Sequence, residues 1–136
     1  MPPLSTDRNT PRRDGEFNSR DVAASTEIFA GSLVVLDASG NAAPGSAATG
    51  LVADGRAEEH VDNSSGSAGD KQVTVRKGVF RFANSAGADE ITKAHIGDDC
   101  YIVDDETVAL TDDTGSRSVA GTVVDVDAAG VWVRFD

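Results

Sequence analysis

One cysteine, two histidines and an aromatic content of 5% leave this 136-residue chain short of the side chains that most often carry chemistry. Cys100 has no partner for an internal disulfide and no second thiol for a metal cluster, so the fold must hold without covalent or zinc staples. It is expected as a half-buried small apolar residue. His60 follows Glu58-Glu59 and His95 ends a polar turn, and both are expected at the surface rather than as general bases or ligands. The chain also lacks a G-x-S-x-G elbow, the glycine loops that cradle phosphates, and the spaced acidic loop that holds calcium. These absences point away from an enzyme and from any cofactor or metal.

Basic charge is scarce too. Twelve Lys and Arg stand against 23 Asp and Glu, a formal charge of −11, which removes the general phosphate attraction that nucleic-acid binding needs. The imbalance is uneven: residues 1–20 carry a net +1 and the remainder −12. Asp98-Asp99, Asp104-Asp105-Glu106 and Asp112-Asp113 are expected to form a solvated acidic rim. No apolar run approaches the roughly 18 residues that span a bilayer, and the N-terminus has no apolar leader core, so the expectation is a soluble protein made in the cytoplasm.

What remains is β-texture. The hydrophobic fraction of 39% is mainly Val and Ala, which suits thin β-architecture, and a single domain of this length buries roughly two-thirds of its unfolded surface. Residues 1–20 hold three of the four prolines and only Met1, Leu4 and Phe17 as large apolar residues, so they read as an extended or disordered arm. From residue 21 to 136, short apolar runs alternate with Gly, Asn, Asp and Ser at intervals of roughly ten residues, as in β-sandwiches and small barrels. Strands are expected at Leu33–Leu36, from near Gly50, and through Val73–Phe82 with a bend or bulge at Lys77-Gly78. Residues 62–71 read as a flexible loop and Ala88–His95 as one short helical turn. Hairpins are expected at Tyr101–Leu110 and Val119–Phe135. No apolar period of 3.6 persists for three turns. The fold class is therefore all-β: a small barrel or sandwich with an extended N-terminal arm and at most one short helical turn.

In order along the chain, AGSLVVLDASGNAAP, ATGLVADGRAEE, GDKQVTVRKGVFRF, IGDDCYIVDDETVALT and SVAGTVVDVDAAGVWVRF resemble the capsid cement (decoration) proteins of tailed phages and related prophages. The resemblance covers residues 21–136. It implies a homotrimeric β-body on the outer face of a virion, bound to the major capsid protein where its subunits meet, with no catalytic residue, no cofactor, no nucleic-acid partner and no membrane. On that reading the arm pairs with capsid subunits, and Pro11, Arg12, Arg13, Phe17 and Arg20 are its expected contacts, Arg12 and Arg13 against acidic groups. Three other functions compete: a carbohydrate- or cell-surface-binding module that stacks sugars on Trp132, an enzyme of unrecognised type using Asp98, Asp99 and His95, and another virion part such as a tail or head-completion subunit.

Overall fold

The structure is a computed structural model that describes residues 2–136. Twelve strands follow in order: β1 (Phe17–Asp21), β2 (Thr26–Ile28), β3 (Leu33–Leu36), β4 (Ala42–Pro44), β5 (Val52–Ala57), β6 (Val61–Asn63), β7 (Gln72–Arg76), β8 (Gly78–Phe82), β9 (Asp99–Ile102), β10 (Val108–Ala109), β11 (Val119–Asp127) and β12 (Gly130–Phe135). They form one antiparallel sheet in the order β1-β7-β5-β3-β4, a second in the order β10-β9-β11-β12-β8, and a two-stranded ribbon of β2 and β6. The chain is all-β, and no sheet closes into a barrel. Each large sheet curls only as far as a single parallel bridge, Val22 to Ala42 in the first and Ala83 to Thr107 in the second.

The stretch LVVL explains the layering. Its four residues do not alternate apolar with polar because β3 is covered on both faces. Leu33 and Val35 join Phe82, Cys100, Ile102, Val108, Val123, Val131, Val133 and Phe135 in the core between the two large sheets. Val34 points the other way and packs with Val22, Ile28, Val61, Val73 and Val75 beneath the ribbon. Each fully buried Val, Leu or Ile contributes about 1.5–3 kcal/mol, so the small side chains build two thin cores instead of one thick one.

The structure revises several sequence-based expectations. Phe17–Arg20, expected in the arm, belong to β1, which pairs with β7 from Phe17↔Arg76 to Asp21↔Gln72. Apolar periodicity is silent there because Phe17 is the segment's only large apolar residue, and main-chain pairing with an ion pair does the holding. The single helical turn expected over Ala88–His95 is two 3-10 turns, Gly87–Asp89 and Lys93–His95, separated by the buried Ile91. Asn84 holds that break, donating from its amide to the Ile91 carbonyl at 2.8 Å and accepting the Ile91 N–H at 2.9 Å. The loop after Val61 is tied at its base: Asn63 is 2% exposed and its amide donates to the carbonyls of Ala23 and Ser67, both at 3.0 Å. Lys77 is the single residue between β7 and β8, so the expected bend is where the chain leaves one large sheet for the other. Cys100, expected half-buried, is fully buried.

Candidate functional site

The groups that chemistry would need lie apart and are used locally. Among the described residues no three His, Cys, Asp or Glu side chains converge to hold a metal ion. His60 meets Glu27 at 2.7 Å and stacks on Phe29 with ring centroids 5.0 Å apart, steadying the ribbon. The Nδ1 of His95 accepts the Thr92 N–H at 2.9 Å and so caps its own turn. Burial pushes the Cys100 thiol up to about 12, far from a reactive thiolate. The acidic clusters lie apart, Asp98-Asp99 at the start of β9 and the other two on separate loops, and Asp104 closes one of these by accepting the Glu106 N–H at 2.9 Å.

The feature with the form of an interaction site is the arm and the strand that anchors it. Residues 2–16 are exposed throughout and form no regular strand or helix, with bends at Ser5-Thr6 and Gly15-Glu16. Pro11 is exposed; Arg12 reaches only Asp14, at 3.5 Å with both side chains nearly fully in solvent, a pair worth little. Arg13 makes one long contact, 3.4 Å to the Asn18 side-chain oxygen. Phe17 is 52% exposed on β1, with the Arg76 guanidinium 5.1 Å from its ring centre. These four expected contact residues therefore lie outward, along one path from the arm to the sheet edge.

Arg20, the fifth, has a different role. Its Nε and Nη2 donate to the two carboxylate oxygens of Asp54 at 2.8 and 2.9 Å, and Lys77 Nζ reaches the same carboxylate at 3.2 Å. Asp54 is 2% exposed. Its position comes from a bulge in β5: Val34 faces Gly55 and Val35 faces Ala53, which leaves Asp54 as the extra residue. Gly55 is needed beside it, because its φ is +142° and a Cβ would stand 2.2 Å from the Arg76 carbonyl oxygen. Burial pushes the Asp54 carboxyl up, but hydrogen bonds and charge from Arg20 and Lys77 outweigh that, so it stays below the ordinary carboxylate value. Arg20 thus ties β1 across β7 to β5 and sets where the arm leaves the body.

The far edge of β1 is open. Glu16 O accepts the Lys77 N–H at 2.7 Å and the Val22 N–H donates to Lys71 O at 2.9 Å, so alternation turns the main-chain groups of Asn18 and Arg20 toward β7. Those of Phe17 and Ser19 point outward along an open stretch of edge, which ends at Asp21, where the Val22–Ala42 bridge brings β4 alongside. Sequence reasoning passed over Asp54 and read Lys77 only as part of a bend; the Asp54-Gly55 pair inside a strand pattern was the available signal of a bulge.

Comparison with protein-family models, curated proteins and solved structures returns no match.

Proposed function

We propose that the chain is a decoration protein of a tailed-phage capsid: its β-body sits on the outer surface, and its arm bridges neighbouring copies of the major capsid protein. The observation that carries this reading is the arm itself, an exposed segment at residues 2–16 without regular structure that leaves the body beside an open strand edge. Such a segment has too little apolar surface to fold alone and gains its order on a partner, by main-chain pairing and by Arg12 and Arg13 against acidic groups. A homotrimer would present three arms at once, and linkage of three modest contacts gives avidity without one tight site. Stabilisation of the shell follows, since capsid subunits cannot part without also breaking arm contacts.

The carbohydrate alternative relies on Trp132 as a stacking platform. That ring is half-buried, its indole N–H donates to Asp127 at 2.9 Å, and the Arg81 guanidinium lies 5.5 Å from its centre. A sugar stacking on the face under Arg81 would have to displace that guanidinium.

The test is imaging of particles from the phage or prophage that encodes the chain, with and without residues 2–15. The expected result is density over points where capsid subunits meet, lost with the arm although the body still melts within about 2 °C of the full chain, a shift of under 1 kcal/mol. Capsids without the protein should burst at lower temperature. Equal heat stability of bare and decorated capsids overturns the proposal, and density confined to the tail or neck favours the other virion reading.

A further inference from the structure

A second open strand edge belongs to the other large sheet and has different chemistry. β8 is the outermost strand of its sheet, with β12 as its one ladder partner. Ala83, just past its end, exchanges main-chain bonds with the opposite side, accepting from Val108 N–H at 3.0 Å and donating to Glu106 O at 2.8 Å. Alternation back along the strand turns the N–H and C=O of Arg81 and Val79 the same way, out from the sheet. Among the described residues nothing bonds to those four groups.

This edge forms one side of a cleft of about 530 Å³ lined by Glu16, Arg56, Arg76, Lys77, Phe80 and Trp132, among others. On a chain of net charge −11, four of the cleft's side chains are cationic and one is acidic. The guanidiniums are held in place by stacking: Arg56 is 4.2 Å from the Phe80 ring centre, Arg81 is 5.5 Å from Trp132, and Arg76 is 5.1 Å from Phe17. The three cations of these pairs, Arg56, Arg76 and Arg81, all line the cleft. Arg56 and Arg76 each give Nε and Nη2 to one carboxylate, Glu58 and Glu16 respectively, and among the described residues their Nη1 atoms have no partner. Arg81 has no ion pair among the described residues.

We infer that this cleft docks an extended acidic peptide segment of a partner protein, which adds a strand to β8 through Val79 and Arg81 and sets carboxylates against Arg56, Arg76 and Arg81. Both halves of the recognition are needed. The unpaired main-chain groups ask for another peptide backbone, which nucleic acid and glycan lack, and the cations flanking both faces of the added strand select for Asp and Glu. Apart from Glu16 at its root, the chain's own arm does not fit, because Arg8, Arg12 and Arg13 would bring like charge into the cleft. This inference concerns a different strand edge from the capsid proposal and any partner with such a segment, while Glu16 and the Phe17–Arg76 pair set the cleft beside the root of the arm.

The experiment titrates the full chain with a synthetic decapeptide of alternating Glu and Thr, read by emission of Trp132, the only tryptophan, and by amide shifts at Val79 and Arg81. Saturable binding is expected, weakened at least about tenfold by Arg81→Glu, by Val79→Pro, by a Lys-Thr peptide, and by N-methylation of alternate peptide amides. Proline is suited to residue 79 because the N–H it removes faces out of the sheet; should that variant unfold, Arg81→Glu and the N-methylated peptide carry the test. Absence of saturable binding overturns the inference. So does equal binding of the N-methylated peptide, or full competition by inorganic phosphate, either of which would mark a site for charge alone.

Discussion

Replacing Arg20 by alanine probes the contact that joins the arm-bearing strand to the body. The substitution removes two charge-assisted hydrogen bonds, at 2.8 and 2.9 Å, from a carboxylate that is 2% exposed. An uncompensated buried charge costs about 3–5 kcal/mol. Here Lys77 remains 3.2 Å from Asp54, and the lost guanidinium was already about a quarter in solvent, which lowers the penalty. The expected loss is about 2–3 kcal/mol, the upper range for hydrogen bonds to charged groups, or about 8–12 °C in melting temperature for a domain of this size. Denaturant unfolding followed by Trp132 emission measures the global effect. Hydrogen exchange at the Asn18 and Arg20 amide positions of β1, read for Asn18 in the variant, reports local release of the strand. The pH dependence is a separate check. Asp54 titrates below its ordinary 3.8 in the folded state, so its contribution is complete above that value and is lost as pH falls through the lowered native one. The gap between wild type and Arg20→Ala should therefore shrink below about pH 4. A loss under about 0.5 kcal/mol at neutral pH, or a gap unchanged by acid, would refute the reasoning, since surface pairs contribute only that much.

Two further outcomes are expected. Burial that raises the Cys100 thiol from 9.0 to about 12 should make native labelling by a disulfide reagent about a thousandfold slower than in denaturant, where the thiolate forms freely; comparable rates would mean that the core around Cys100 opens. Gly121→Ala should destabilise by at least about 2 kcal/mol, within the range for overpacking, because a Cβ there would stand 2.3 Å from the Arg134 carbonyl oxygen, whereas Gly15→Ala, with nothing within 4 Å, should be nearly neutral in the same melting assay.

How much of this was legible along the chain depends on the range of the interaction. Alternating Val, Thr and Arg in QVTVR, the apolar run LVVL and the turn glycines are local signals, and they placed β3, β7, β8, the Tyr101–Leu110 hairpin and the C-terminal hairpin close to where they lie. The exposure of Pro11, Arg12, Arg13 and Phe17 was also legible, because a segment with so little apolar surface has nothing to bury. β1 was not, since FNSRD has no repeating apolar pattern and is held by its neighbour's backbone and by Arg20.

The amino-acid order by itself determined the all-β class, the acidic character of the body and the presence of an exposed arm, because composition, period-two patterning and charge act over a few residues at a time. Only the tertiary structure decided that Arg20 meets Asp54 across 34 residues of chain, that β3 is covered on both faces, and that β1 and β8 end up at sheet edges with unpaired backbone. Those facts depend on which strands become neighbours, and strand neighbours are chosen by long-range packing that no short window of sequence contains.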